Sequence, residues 1–288
     1  MARAVPTLAD VAPSDSSGAS TPTNSAASGI VIGVHAGGDD PCADAAAVGA
    51  QALQVFLGNP QSWSAPTFPY GSADEFASTA HNQGLDIWVH APYLINVATG
   101  NNKVRIPSRK ALGAHIEAAA AVGAKGLVVH GGQVQAGEDH SIGYANWTKA
   151  VDQLDMHAAV QVMIENTAGG ENSMARGLDA IARLWDAVGH SGVGFCFDTC
   201  HAWASGIELP DAIDAVLAIT GRIDLVHCND SRDEFGSHRD RHANLGSGFI
   251  PVDALVEAVR RANAPLILET SAEGQQADIT LLREHLNV

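Results

Sequence analysis

The sequence predicts an α/β fold: a (β/α)8 TIM barrel with a metal cluster at the C-terminal ends of its strands. Three observations carry that expectation. Eight short apolar, β-rich runs follow Gly29, each leading into a loop and then a segment with apolar residues three and four apart. The 259 residues from Ile30 onward suit eight such units in one barrel. Six consecutive runs, the third to the eighth, end in His, Asp or Glu. A doubly wound parallel sheet is the topological alternative.

The runs span residues 30–35, 52–58, 86–90, 126–130, 160–165, 193–198, 224–227 and 265–269. Helices are expected at 109–122, 172–188 and 252–262, among others, because their apolar residues fall on one helical face. Residues 29–288 therefore read as a single barrel domain. Residues 1–28 are rich in Ala, Ser, Thr and Pro and lack the charged start and continuous apolar stretch of a secretory signal, so a disordered tail is expected there.

Composition narrows the function. The 288-residue chain has 32 acidic and 16 basic side chains, a formal charge of −16, which argues against a protein that coats nucleic acid through overall positive charge. No segment approaches the roughly 18 consecutive apolar residues of a membrane span. Cys42, Cys196, Cys200 and Cys228 form no paired CxxC pattern, and the last three lie in or beside apolar runs. They read as reduced core residues, which makes a cytoplasmic location the default.

Chemistry is expected at the strand ends, where the active sites of such barrels form. The third run ends in His90, the fourth in His130 and the fifth in Glu165. The sixth ends in Asp198, with His201 three residues on; the seventh ends in His227, and its loop adds Asp240 and His242; the eighth ends in Glu269. Five histidines and four carboxylates thus converge on one rim. A buried carboxylate needs a partner, and first-row metals take these residue types. His81, His115, His140, His157, His190 and His285 fall outside the pattern and are read as structural. Nine groups are too many for one ion, so two or three metals sharing a bridging carboxylate are expected. Clustered divalent ions suit phosphoryl chemistry, and the sequence has neither a phosphate-binding P-loop nor a dinucleotide fingerprint, which leaves phosphodiester hydrolysis as the first reading.

The strings HAPYLIN (90–96), ENTAGG (165–170), FDTCHAWASG (197–206) and DRHANLGSG (240–248) resemble the endonuclease IV family of apurinic/apyrimidinic endonucleases. The resemblance runs from about Gly29 to the C-terminus, with the motifs in order and at compatible spacings. It implies a TIM barrel holding three Zn2+, with Mn2+ an alternative at one position, that cleaves DNA 5′ to an abasic site. It implies that His90, His130 and Glu165 hold one zinc, that Glu165, Asp198, His227 and Glu269 hold a second, and that His201, Asp240 and His242 hold a third. Glu165 is then the catalytic residue, orienting the attacking hydroxide, and the products are a 3′-hydroxyl and a 5′-deoxyribose phosphate. The partner implied is double-stranded DNA containing abasic sites, bound by a monomer with no membrane role.

For DNA contacts, the resemblance points to Tyr93 in the minor groove near the lesion, and to Asn59, Gln61 and Trp63 in the loop after the second strand. Some relatives have arginine where this chain has Gln61, so a charged wedge into the base stack is absent here. Arg239 and Arg241 flank Asp240 and join Lys103, Arg105, Arg109 and Arg232 as basic residues expected at the active rim. His35, ending the first run, is expected to orient the site from behind. Glu138 and Asp139 in the fourth loop would not help hold phosphate, and the eighth loop looks short.

Two other readings remain open at this level. A single-metal sugar isomerase or epimerase of the same barrel type would need only Glu165, Asp198, His227 and Glu269. A non-catalytic descendant of an enzyme should have lost ligands, and none is lost here.

Overall fold

A computed structural model describes residues 29–157 and 159–287 of the chain; the tail expected at residues 1–28 lies outside the described residues. Eight parallel strands close a barrel: β1 (Ile32–His35), β2 (Ala52–Phe56), β3 (Asp86–His90), β4 (Gly126–His130), β5 (Gln161–Glu165), β6 (Gly194–Asp198), β7 (Leu225–His227) and β10 (Leu266–Leu268), which pairs back with β1. Two short strands, β8 (Asp230–Ser231) and β9 (His242–Ala243), pair antiparallel within the loop after β7. The helices are α1 (Pro41–Ala47), α2 (Ala73–Asn82), α3 (Asn102–Ala121), α4 (His140–Val151), α5 (Leu178–Val188), α6 (Thr199–Ala204), α7 (Asp211–Thr220), α8 (Val252–Ala262) and α9 (Ala272–Leu286). The protein is a TIM barrel, and each predicted strand run contains one barrel strand.

Side-chain alternation builds two cores from the same strands. Leu53, Val55, Val89, Leu127, Val129, Ile164, Phe195, Phe197 and Val226 face outward under the helices. Ala52, Trp88, Val128, Met163, Cys196, Leu225 and Ile267 face inward and fill the barrel. Trp88 fits because its neighbour is Gly126, where a Cβ would stand 2.5 Å from the indole. Two residues after each inward layer residue, the next inward position reaches the rim. That arithmetic delivers Gln54, His90, His130, Glu165, Asp198, His227 and Glu269 to one end of the barrel.

Two helix starts differ from the expectation. Helix α3 begins at Asn102 instead of 109, because the Asn101 side chain caps it by accepting from the Lys103 amide at 3.0 Å, and the helix runs on through Pro107. Helix α5 begins at Leu178 instead of 172. The preceding backbone is committed elsewhere: Val134 N donates to Asn172 O and Met174 N to Gly132 O, tying the loops after β4 and β5 together. Helix α8 matches its expected bounds. All four cysteines are free and buried, and among the described residues no helix is long and apolar enough to cross a membrane.

Candidate metal centre

Strand register sets the level of the site. His130 pairs with Glu165 across β4 and β5, and Asp198 with His227 across β6 and β7, so their side chains leave the barrel at matching heights. His201 follows from Asp198 by helix geometry. Asp198 Oδ1 accepts the His201 amide at 2.6 Å, capping α6 and bringing the imidazole over the same rim. His242 arrives on β9, which is held against β8.

Nine side chains meet there in three groups whose donor atoms lie within 4.8 Å of one another. They are His90, His130 and Glu165; Glu165, Asp198, His227 and Glu269; and His201, Asp240 and His242. Glu165 belongs to the first two and is fully buried. Its Oε2 lies 3.2 Å from His90 Nε2 and 3.3 Å from His130 Nε2, while Oε1 lies 3.0 Å from His227 Nδ1 and 3.3 Å from His201 Nδ1. One carboxylate oxygen is thus turned to each side. The third group closes on Asp240, 3.1 Å from both His201 Nε2 and His242 Nε2.

The imidazoles are oriented from behind. His90 Nδ1 donates to Ala91 O at 2.7 Å, His201 Nδ1 to Asn166 O at 2.8 Å, and His227 Nε2 to Gln54 Oε1 at 3.0 Å. Each bond commits one ring nitrogen as the donor and leaves the other as a lone pair facing the cluster, the arrangement metal ligands require. His201 Nε2 and His242 Nε2 are buried with no hydrogen-bond partner. Buried nitrogens are normally satisfied, and a cation between these rings and the carboxylates would satisfy both. Among the described residues no Lys or Arg pairs with Glu165, Asp198, Asp240 or Glu269. The residues therefore fit divalent metals.

Electrostatics agree. Burial opposes the charge on Glu165, yet His227 and His130 hold it well below the ordinary carboxylate range. Burial, with the charge of Glu165, pushes Asp198 up against the pull of His201 and His242. Despite burial, Asp240 raises His242 to about 9 and Asp198 with Asp240 raises His201, whereas burial lowers His90. A fourth group, Asp198, Cys200 and His242, also has suitable spacing. Burial pushes the Cys200 thiol up to about 12, which disfavours it as a thiolate ligand.

Several residues missed from sequence shape this centre. Gln54 is fully buried beside Glu269 and His227. Asn229 donates to Asp198 Oδ2 at 2.8 Å and accepts the Glu269 amide at 2.8 Å. Asn166 accepts the Asp198 amide at 2.8 Å. Asp230 accepts the amides of Gly246, Gly248 and Ile250, which folds the GSG end of the DRHANLGSG string under the hairpin. Alternation along β2 would have found Gln54; the amide clamps carry no signal a linear reading can detect.

Of the expected contact residues, Tyr93 stands beside the cluster. Tyr93 is 55 % exposed, with its ring 5.7 Å from that of His90 and 5.8 Å from that of His130. Burial, then the charges of Glu269 and Glu165, push its phenol up to about 12, so it stays a donor. Asn59 caps its own turn through Gln61 N at 2.9 Å, and Trp63 is half exposed beside Pro66 and Pro107. His35 Nδ1 lies 3.6 Å from Glu269. The basic residues are more engaged than expected. Arg105 holds the carbonyls of Thr99 and Gly100, Arg109 that of Asn146, and Arg239 and Arg241 both pair with Asp233. Lys103, Arg105 and Arg109 lie in α3 and not in the loop before it. Glu138 accepts from the amides of Gln135 and Gly100, and Asp139 caps α4, so both are structural.

The family described as "Xylose isomerase-like TIM barrel" matches residues 42–287. "Probable endonuclease 4" of Mycobacterium ulcerans (strain Agy99) is 56% identical over 258 residues, 90% of this chain and 100% of that protein. The chain belongs to the endonuclease IV family. The crystal structure of endonuclease IV from Thermus thermophilus superposes with a TM-score of 0.75 at 28% identity, covering 89% of this chain and 99% of that one. A D-tagatose 3-epimerase-like protein matches nearly as well in shape, at a TM-score of 0.74 over 90% of this chain and 97% of that one. At 17% identity it shares the fold alone. The barrel by itself therefore does not separate these activities; in this endonuclease IV family member the nine-residue rim is the feature that offers metal-ligand groups.

Proposed function

We propose that the protein is a DNA-repair endonuclease that hydrolyses the phosphodiester 5′ to an abasic site. Its product ends are a 3′-hydroxyl and a 5′-deoxyribose phosphate, and its centre holds three Zn2+, with Mn2+ an alternative at one position. The three donor groups, two of them joined through Glu165, carry this reading. In it, His90, His130 and Glu165 hold one zinc, Glu165, Asp198, His227 and Glu269 a second, and His201, Asp240 and His242 the third. Zinc bound by such sets supplies an acidified water near neutral pH and neutralises phosphate charge.

The chain's own residues prepare that chemistry. Glu165, held ionised by its imidazole neighbours, accepts hydrogen bonds from the attacking water and orients it. A cavity of about 260 Å3 opens beside the cluster, bounded by Tyr93, Asn96, His130, Thr167, His201 and Asp240. It has room for a sugar-phosphate unit, and the absence of a base at the lesion lets that unit leave the duplex. Tyr93 donates from its protonated phenol to an oxygen of that unit. Trp63, Tyr93, Ile106, Ile142, Phe235 and Phe249, the exposed large apolar residues among those described, all lie in strand-to-helix loops or the first two helical turns, on the rim that meets DNA. Asn59, Gln61, Arg239 and Arg241 line the same face, and His35 steadies Glu269.

The test is a duplex end-labelled and carrying one abasic site, incubated with purified protein whose metal content is measured on the same sample. About three zinc ions per chain and a single nick 5′ to the lesion are expected. Binding without nicking would overturn the enzyme reading. One Mn or Mg per chain with sugar isomerisation would favour the epimerase type instead.

A further inference from the structure

We infer that Gln54 is a positioning residue that decides which nitrogen His227 presents to the metal centre; this rests on the three-zinc reading above. Gln54 lies in the middle of β2, its side chain turned into the barrel and fully buried. Its amide makes three short contacts: Nε2 donates to Glu269 Oε1 at 2.7 Å and to His35 Nδ1 at 3.0 Å, and Oε1 accepts from His227 Nε2 at 3.0 Å.

Those contacts determine one another. An ionised Glu269 can only accept, so the amide must turn its NH2 that way. The carbonyl then faces His227, which must supply a proton from Nε2 because two acceptors cannot share a hydrogen bond. With Nε2 protonated, the lone pair of neutral His227 is on Nδ1, which lies 3.0 Å from Glu165 Oε1 and 3.3 Å from Glu269 Oε2. The other tautomer, protonated at Nδ1, would turn a lone pair toward the Gln54 carbonyl and aim an N–H at the carboxylates. The second amide proton occupies His35 Nδ1, so His35 takes the Nε2-protonated tautomer and cannot compete for His227. Gln54 thus ties the tautomer of His227 to the carboxylate of Glu269, two ligands of the same group.

Two measurements test this on the zinc-loaded full chain. In 15N-labelled protein, histidine long-range 1H–15N correlations should show His227 protonated at Nε2 and metal-bound through Nδ1; coordination through Nε2 would overturn the inference with no variant needed. Zinc transfer to a colorimetric chelator is then compared for wild type, Gln54→Leu and Gln54→Met. One zinc equivalent should leave at least about tenfold faster in the variants, the effect expected of losing a ligand's orienting partner, while the other two leave at the wild-type rate. Unchanged release, or equal acceleration of all three, would overturn it. A chain that never holds three zincs fails the three-zinc reading itself, a result distinguishable from failure of the Gln54 role alone.

Discussion

Asp233 accepts hydrogen bonds from Nε and Nη2 of Arg241, and Arg241 stands in the chain between Asp240 and His242. Asp240 and His242 turn toward the cluster while Arg239 and Arg241 turn back to Asp233. The arginines flanking Asp240 therefore anchor the loop that carries Asp240 and His242 as well as facing solvent. Asp233→Asn should keep the fold and loosen this segment. The zinc at His201, Asp240 and His242 is expected to exchange several-fold faster, read by metal content after timed chelation. Three zincs exchanging at wild-type rates would show that the clamp does not position the ligands.

Glu165 offers one oxygen to each of two donor groups, so Glu165→Gln removes a charge both groups share. Volume is conserved, but the Tm of the apo protein should fall, because Glu165 is the ionised partner of buried imidazoles and losing one member of a buried pair is destabilising. Cleavage of abasic duplex should fall by ~10²-fold or more, beyond what losing an orienting partner costs. Turnover near wild type would remove Glu165 from the mechanism.

Chelation should inactivate the enzyme and destabilise it together. Ligand binding to the native state alone contributes about 4 kcal/mol at a thousandfold excess over Kd. For a domain of this size that corresponds to a Tm decrease of about 10 °C. Differential scanning fluorimetry with and without chelator, followed by zinc readdition, measures it. Inactivation without any Tm change would place the metals outside the buried cluster.

Gly248 has no room for a side chain. A Cβ there would stand 2.2 Å from Ser231 O and 2.5 Å from Asp230 Oδ1. Gly248→Ala should cost about 2 kcal/mol through forced backbone movement, seen as a lower urea midpoint at unchanged slope. The glycine lies in the DRHANLGSG string for a packing reason, while Asp240 and His242 of the same string meet His201 at the rim.

Arg239 is the more exposed of the two arginines, 67 % against 53 %, and its contact with Asp233 is the longer. If it also reaches a phosphate, Arg239→Ala should weaken abasic-duplex binding and reduce the logarithmic salt slope by about 0.9. An unchanged slope in a fluorescence-anisotropy titration would confine Arg239 to the clamp.

The barrel and the nine rim residues were legible because both follow from period-two alternation and the residue types at strand ends. Gln54 lies on the same alternation but not at a run's end: the second run extends to Gly58 in sequence, whereas the strand ends at Phe56, so a reading of run ends passes over the rim-facing residue. The helix expected at 109 begins earlier because a capping asparagine overrides the proline. The engagement of the expected rim arginines was not legible, since their pairing with Asp233 and backbone carbonyls depends on loops folding over one another.

By itself, the sequence determined which residue types occupy each strand end, and with that the fold and the set of nine side chains that meet at the rim. Tertiary structure alone decided how those residues divide: which carboxylate oxygen faces which imidazole, which ring nitrogen is free, and which charges are already paired. The physical reason is that periodicity is local, set by the backbone repeat, whereas hydrogen-bond direction and ion pairing are fixed only when distant segments meet. Gln54 and Glu269 are 215 positions apart in the chain, and their 2.7 Å contact exists only because the barrel closes.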